Sequence, residues 1–334
     1  MRLFVATFLL VSGLLAAFCG AADIKVAEVI EIGPCGGGPL FRPVKWSPDG
    51  SMIAYFNGQK LMVADTLGKT REVFTIDYVA RPFEWISDSE IVVYQREFNN
   101  NPYRMHKLSI ITLSGTETVL AEEKVPKSNI SSKPSFSPPR KTPSGIVYYD
   151  SYASPAYGPQ VLTRADKNRS ISPSEHYYVR LVGNRLCKIS LDDKDTSTVL
   201  QGRYAGVVVN EDYSMVLADG EISALLYNVN TKSCDTIYAP EVQTRDDVYC
   251  GVMGYEFHPS NEYVIYFAPC DEKYGHNTTK RAICLYDLST KQSTVLSPLT
   301  SSEHEVSPQF SPNGRYFSFL AGEVGLCIAR LEVR

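Results

Sequence analysis

The stretch Trp46-Ser47-Pro48-Asp49-Gly50, followed by Ser51-Met52-Ile53-Ala54-Tyr55-Phe56, limits what this chain can fold into more than any other. An aromatic residue ending a short strand, a Pro-Asp-Gly reversal and an apolar strand make a β-hairpin. Proline presets φ, aspartate bonds its own backbone and glycine accepts a positive φ. The phrase returns as Phe310-Ser311-Pro312-Asn313-Gly314 ahead of Arg315-Tyr316-Phe317-Ser318-Phe319-Leu320. Degraded copies are Trp85-Ile86-Ser87-Asp88-Ser89, Phe136-Ser137-Pro138-Pro139 and Phe257-His258-Pro259-Ser260-Asn261.

Repeats of roughly 40 to 50 residues belong to propeller blades of four antiparallel strands. The long gap between the Phe136 and Phe257 copies hides one more unit, visible from Ala205 to Pro240. The fold class expected is therefore all-β, a six-bladed β-propeller with blades at about 43–78, 82–123, 134–200, 205–240, 251–298 and 305–334. The third is irregular, and Tyr152 to Ser174 is read as a hairpin inserted in it rather than as a shortened seventh blade. The last blade lacks a strand, whereas Ile24 to Ile32 alternates at period two and has no hairpin partner. Placed as the fourth strand of the last blade, 24–32 closes the ring and removes its open edge.

Met1 to Ala22 carries one early cation, an apolar run from Leu3 to Phe18 and a small-residue ending. That pattern is a secretory signal peptide, too short for a spanning helix, which leaves 23–334 as one domain. The expected location is secreted or periplasmic, with no transmembrane segment after signal removal. A lipid anchor at Cys19 is disfavoured by the bulky Phe18 before it. Export places Cys35, Cys187, Cys234, Cys250, Cys270, Cys284 and Cys327 in an oxidising compartment, where some should pair. Cys234, Cys250, Cys270 and Cys284 are the set expected to lie near one another, though spacing gives no connectivity. Asn129, Asn168 and Asn277 begin glycosylation sequons. The formal net charge of −4 and pI near 5.8, without a run of cations, exclude the electrostatic footprint of a nucleic-acid binder.

The W/F-S-P-D/N-G phrase followed by Ile53-Ala54-Tyr55 or Tyr316-Phe317-Ser318-Phe319 resembles the TolB-like, WD40-like propeller repeats and the propellers of prolyl-oligopeptidase-type enzymes. The resemblance covers about 23 to 334 and implies a propeller. It departs from TolB in having one strand where TolB-like proteins have an α/β domain. It departs from the oligopeptidases in leaving no residues for a hydrolase domain.

No nucleophile elbow, zinc-protease helix, calcium loop or dinucleotide fingerprint occurs. Of the five histidines, His106 reads as a packed or edge strand residue and His176, His258 and His276 as solvated surface residues. His304, between Glu303 and Glu305, precedes an innermost strand and would sit at the channel mouth. Arg42, Arg81, Lys133 and Arg203 occupy comparable positions on other blades. Such a rim, cations facing an acidic group, could hold a carboxylate, phosphate or acidic peptide segment. Asp192, Asp193 and Asp195 read as a charged hairpin tip rather than a calcium site. The reading that follows is an exported, monomeric, non-catalytic module that binds a protein or peptide partner of acidic character, without cofactor. The alternative is a small propeller enzyme of lactonase, lyase or cyclase type with a metal in its channel.

Overall fold

The computed structural model describes residues 24–35, 44–76, 79–97, 102–126, 134–141, 147–151, 158–162, 177–182, 185–190, 196–201, 207–219, 223–238, 253–269, 281–301, 308–321 and 325–333. Among them every regular element is a strand, and no helix is long and apolar enough to cross a membrane. The signal-peptide residues Met1 to Ala22, all three sequon asparagines and Asp192, Asp193 and Asp195 lie outside the described residues.

The strands form small antiparallel sheets that follow the chain. The first sheet is β2 (Val44–Trp46), β3 (Met52–Asn57), β4 (Lys60–Asp65) and β5 (Thr70–Thr75). The second is β6 (Val79–Ser87), β7 (Glu90–Arg96), β8 (Tyr103–Thr112) and β9 (Glu117–Pro126). Two three-stranded sheets come next: β10 (Arg140–Lys141), β11 (Val147–Ser151) and β12 (Gly158–Val161), then β13 (Tyr177–Val182), β14 (Arg185–Ser190) and β15 (Thr196–Gln201). The fifth sheet is β16 (Val207–Val209), β17 (Met215–Asp219), β18 (Ser223–Asn228) and β19 (Cys234–Tyr238). The sixth is β20 (Met253–Phe257), β21 (Tyr263–Pro269), β22 (Arg281–Asp287) and β23 (Gln292–Ser301). The seventh joins β24 (Gln309–Phe310), β25 (Tyr316–Ala321) and β26 (Gly325–Val333) to β1 (Ile24–Gly33).

The N-terminal strand thus completes the last sheet: β1 pairs antiparallel with β26, with Lys25 opposite Glu332 and Ile30 opposite Ile328. Two expectations need correction. The residues 134–200 hold two separate sheets, not one blade with an insertion, so the described residues form seven sheets. The Phe136 copy of the phrase is also not a reversal. Phe136 bridges to Ser151, while Arg140 and Lys141 pair with Tyr148 and Val147, so the chain turns back between 141 and 147. Pro139 drives Pro138 out of the helical conformation that a type I reversal requires at this point.

Sheet faces explain the strand sequences. In β3 and β25 four consecutive residues, Ile53 to Phe56 and Phe317 to Leu320, are buried, because each sheet has apolar neighbours on both faces. Trp46, Ile53 and Tyr55 of the first sheet pack against Leu320, Leu326 and Ile328 of the seventh. On the other face Ala54, Phe56 and Val63 meet Phe83, Trp85 and Ile91 of the second. Val92, Tyr94 and Leu108 of the second sheet meet Phe136 and Val147. Leu217 and Leu226 of the fifth meet Phe257 and Tyr266 of the sixth, and Ile265 and Phe267 of the sixth meet Phe310 and Phe317 of the seventh. Lys188 of the fourth sheet lies with its ammonium 4.3 Å from the centre of the Tyr213 ring beside the fifth.

No disulfide joins any two of the described cysteines, Cys35, Cys187, Cys234, Cys284 and Cys327. Cys187, Cys234, Cys284 and Cys327 lie on the fourth, fifth, sixth and seventh sheets and Cys35 just after β1, and Cys35, Cys284 and Cys327 are buried in three different apolar clusters. Cys250 and Cys270 lie outside the described residues.

Candidate functional site

Of the rim residues expected from the sequence, Arg42, Lys133, Arg203, Glu303, His304 and Glu305 lie outside the described residues. Arg81 stands on β6, opposite Tyr94 of β7.

The described structure instead brings together charges on the first strands of the sheets, which sequence reasoning did not single out. Lys45 on β2 forms an ion pair with Glu84 on β6, Nζ to Oε1, at 2.8 Å. Burial works against the Lys45 charge, but Glu84, and Glu256 further off, hold its pKa above the ordinary lysine value. Glu256 on β20 accepts the Phe310 backbone N–H of β24 at 2.7 Å. Burial pushes this carboxyl up to about 7, against the pull of the Phe310 N–H and of Lys45 and Lys141. One ion pair thus joins β2 to β6, and one hydrogen bond to a carboxylate joins β24 to β20. The sequence signal was available, since Lys45, Glu84 and Glu256 each directly precede the aromatic anchor of the phrase.

The two tryptophans tie these strands to one another. The Trp46 indole N–H donates to the Gln309 carbonyl at 3.1 Å, and the Trp85 indole N–H donates to the Lys45 carbonyl at 2.9 Å. Each acceptor directly precedes the aromatic anchor of its own sheet, so one bond is repeated at consecutive seams.

The turn phrase forms a second set of joints. Within each copy a polar side chain folds the reversal. Ser47 Oγ donates to Asp49 at 2.6 Å and accepts the Met52 N–H at 3.0 Å, and Ser311 does the same with Asn313 and Tyr316. Asn210 takes this role in the fifth sheet, accepting the Met215 N–H at 2.8 Å. The fifth position of the phrase is left-handed at Gly50, Gly314, Tyr213 and Asn261, with φ of 70°, 69°, 62° and 58°. Burial opposes ionisation of Asp49, but the Ser47 and Ser51 hydrogen bonds hold its carboxyl below the usual range.

Between copies, the Asn210 amide donates to Asn261 at 3.1 Å, and His258 Nε2 bonds the Gly314 carbonyl at 3.0 Å. The Asn313 amide donates to the Asp49 carbonyl at 3.3 Å, and the Asp49 N–H donates to Asp88 at 2.9 Å. A belt of hydrogen bonds thus runs from the fifth sheet through the sixth, seventh and first to the second. His258 is consequently not the solvated residue expected. Its ring packs edge-on to Phe310, with centroids 4.8 Å apart, and its Nδ1 accepts the Ser260 N–H at 3.1 Å. That leaves Nε2 to carry the proton donated to Gly314. Burial lowers its pKa, against the raising effects of the Gly314 bond and Glu262.

His106 is buried on β8, as expected of a packed strand residue, and bonds through Nδ1 to the Tyr94 hydroxyl. Burial, with Arg96 and Arg104, lowers its pKa against Glu123. Glu123 is occupied by the Ser135 N–H and hydroxyl at 2.6 and 2.7 Å. Among the described residues no three His, Cys, Asp or Glu side chains converge to hold a metal ion.

No family model matches this chain, and no curated protein does. Solved structures do. A chain of the mitotic checkpoint complex crystal structure is 14% identical, with a TM-score of 0.50 over 93% of this chain and 97% of that one. A protein assigned as TolB in Agrobacterium tumefaciens is 14% identical, with a TM-score of 0.46 over 94% of this chain and 99% of that one. At such identity the likeness is one of fold, and that fold is propeller-like: successive small antiparallel sheets packed face to face.

Proposed function

We propose that the seven sheets are the blades of one ring closed by β1, and that the protein is an exported, non-catalytic module binding a protein or peptide partner of acidic character. The observation supporting this reading is the double set of joints, at the first strands and at the turns. It makes a stiff frame on which the loops leading into the first strands are free to vary, the usual division of labour between scaffold and binding loops. Arg42, Lys133 and Arg203 belong to those approaches and Arg81 to the start of β6, with Glu303, His304 and Glu305 as the acidic counterpart on the seventh blade. Charge-assisted bonds from such cations suit carboxylates on a partner. The charges found on the first strands are partly engaged with one another, Lys45 with Glu84, as in a scaffold.

The test is equilibrium binding of a labelled oligoglutamate peptide to residues 23–334, compared with the Arg42→Glu, Arg81→Glu double variant. The reading expects the variant to lose at least about tenfold in affinity, the scale of one or two charge-assisted bonds. Unchanged affinity removes the rim. A metal bound one to one in the purified protein, with turnover lost on chelation, overturns the non-catalytic reading in favour of a propeller enzyme.

A further inference from the structure

The seam between the second and third sheets covers a cluster of ionisable groups. Arg96 on β7, His106 on β8 and Glu123 on β9 stand directly opposite one another across three neighbouring strands. Such a row points to one face, with Cβ atoms of adjacent members within about 5.5 Å. Tyr94 and Arg104 share that face, each two residues along its strand from a member of the row. The Tyr94 hydroxyl bonds His106 Nδ1, and its ring ties the row to the next sheet, edge-on to Phe136 with centroids 6.1 Å apart. Glu123 makes the second tie, accepting the N–H and the hydroxyl of Ser135, the residue before Phe136, at 2.6 and 2.7 Å. Both ties across the seam thus start from neighbours of His106, which is buried together with Tyr94.

We propose that His106 is an acid-operated latch, and that protonation of its ring opens the seam between the second and third sheets. Burial raises the Tyr94 pKa against the pull of Arg96, so the phenol keeps its proton and donates it to the neutral ring. Once the ring is protonated both of its nitrogens are donors, and the hydroxyl loses its acceptor. The new charge lies between Arg96, directly opposite, and Arg104, two residues back, with Arg81 at the β6 position opposite Tyr94. The third-sheet residues packed against this face, Phe136, Val147, Tyr149 and Leu162, supply only the Tyr149 phenol as a titratable group. Glu123 is the carboxylate that faces the imidazolium, and turning to it releases Ser135. An opened seam lets the ring titrate in solvent at its ordinary value, whereas in the closed seam burial, with Arg96 and Arg104, holds it lower against Glu123. The closed seam is therefore fully favoured above about pH 6.5 and loses at most about tenfold per pH unit below it. The latch is independent of the partner-binding reading.

Thiol labelling tests the latch in the full chain carrying Val147→Cys, a substitution at a fully buried position of this seam. The rate at which a methanethiosulfonate labels that position, divided by its rate in the unfolded chain at the same pH, gives the fraction of time the seam is open. Cys284, buried in the sixth sheet, is the internal control, and peptide mass spectrometry separates the two sites. From pH 7.5 to 5.5 the open fraction at position 147 is expected to rise about three- to tenfold relative to that at Cys284. His106→Gln is expected to abolish that rise, and Tyr94→Phe to open the seam several-fold already at pH 7.5. A rise that survives His106→Gln, no rise at all, or a Tyr94→Phe variant as closed as its parent at pH 7.5 overturns the proposal. Should Val147→Cys not fold, hydrogen exchange of the Ser135 amide, held by Glu123, gives the same comparison between the unsubstituted chain and His106→Gln.

Discussion

The sheets linked by the belt and the two sheets between residues 134 and 201 are held to their neighbours in different ways. At the seams between the sixth, seventh, first and second sheets, side chains of one turn bond the backbone or side chains of the next, and two of those seams also carry a tryptophan bond. At the seam between the second and third sheets the described contacts are Phe136 and Val147 against Tyr94 and Leu108, with Ser135 bound to Glu123. The phrase Trp-Ser-Pro-Asp-Gly is thus a joint as much as a turn. Its glycine matters for what lies outside its own hairpin. A Cβ on Gly50 would stand 2.7 Å from the Asn313 amide, and one on Gly314 would run into the His258 ring. At the Phe136 copy, whose phrase is not a reversal, the described residues show no turn-to-turn bond of this kind; packing and the Ser135–Glu123 bonds hold the seam.

Four tests break or sharpen this contrast. The largest effect is expected from Trp85→Ala, which opens a cavity in a fully buried seam and deletes the bond to Lys45, at a cost of about 3 to 5 kcal/mol in chemical unfolding. Gly314→Ala should cost more than Gly58→Ala. Both glycines are left-handed, so both substitutions carry strain of about 1 kcal/mol, but Gly58 has open space around it and Gly314 has His258. Equal melting temperatures for the two variants would mean the belt is ornamental. Trp85→Phe keeps most of the apolar volume and removes only the indole donor, leaving a carbonyl short of its partner, for about 1 kcal/mol. The smallest effect is acid sensitivity from His258. Its folded pKa lies below the ordinary 6.5, so the unfolded chain takes up the proton first. Its contribution is complete above about pH 6.5 and declines as pH falls from there toward the folded value. His258→Gln should flatten that part of a stability–pH curve, and an unchanged slope would contradict the lowered folded pKa.

Much of the architecture was legible because one hairpin repeats with an aromatic anchor and a left-handed fifth residue. The pairing of 24–32 with the last strand was legible too, because period-two alternation without a partner demands an edge to complete. The seventh sheet was missed for a specific reason. The phrase in the irregular region was sought at an aromatic residue, and Phe136 supplied one at an isolated bridge. In the sequence, Thr142-Pro143-Ser144-Gly145 and Ser172-Pro173-Ser174, outside the described residues, carry similar punctuation with Lys141 and Ile171 where the aromatic would be. The polar turn residues were misjudged on similar grounds. Sequence shows that His258 sits in a turn but not that another turn lies against it. The Lys45–Glu84 pair went unread because its members come from two different sheets, although both residues directly precede the aromatic anchor.

The account rests on the N-terminal strand lying beside the C-terminal one. Lys25 Nζ and Glu332 Oε2 are 3.7 Å apart across that pair, close enough for a zero-length carbodiimide to join them as an amide. Lys60 with Glu72, 2.7 Å apart within the first sheet, is the internal control. Mass spectrometry of the digested, cross-linked monomer should find both linkages. Recovery of the Lys60–Glu72 peptide without any Lys25–Glu332 peptide would contradict the β1–β26 pairing on which the proposed ring depends.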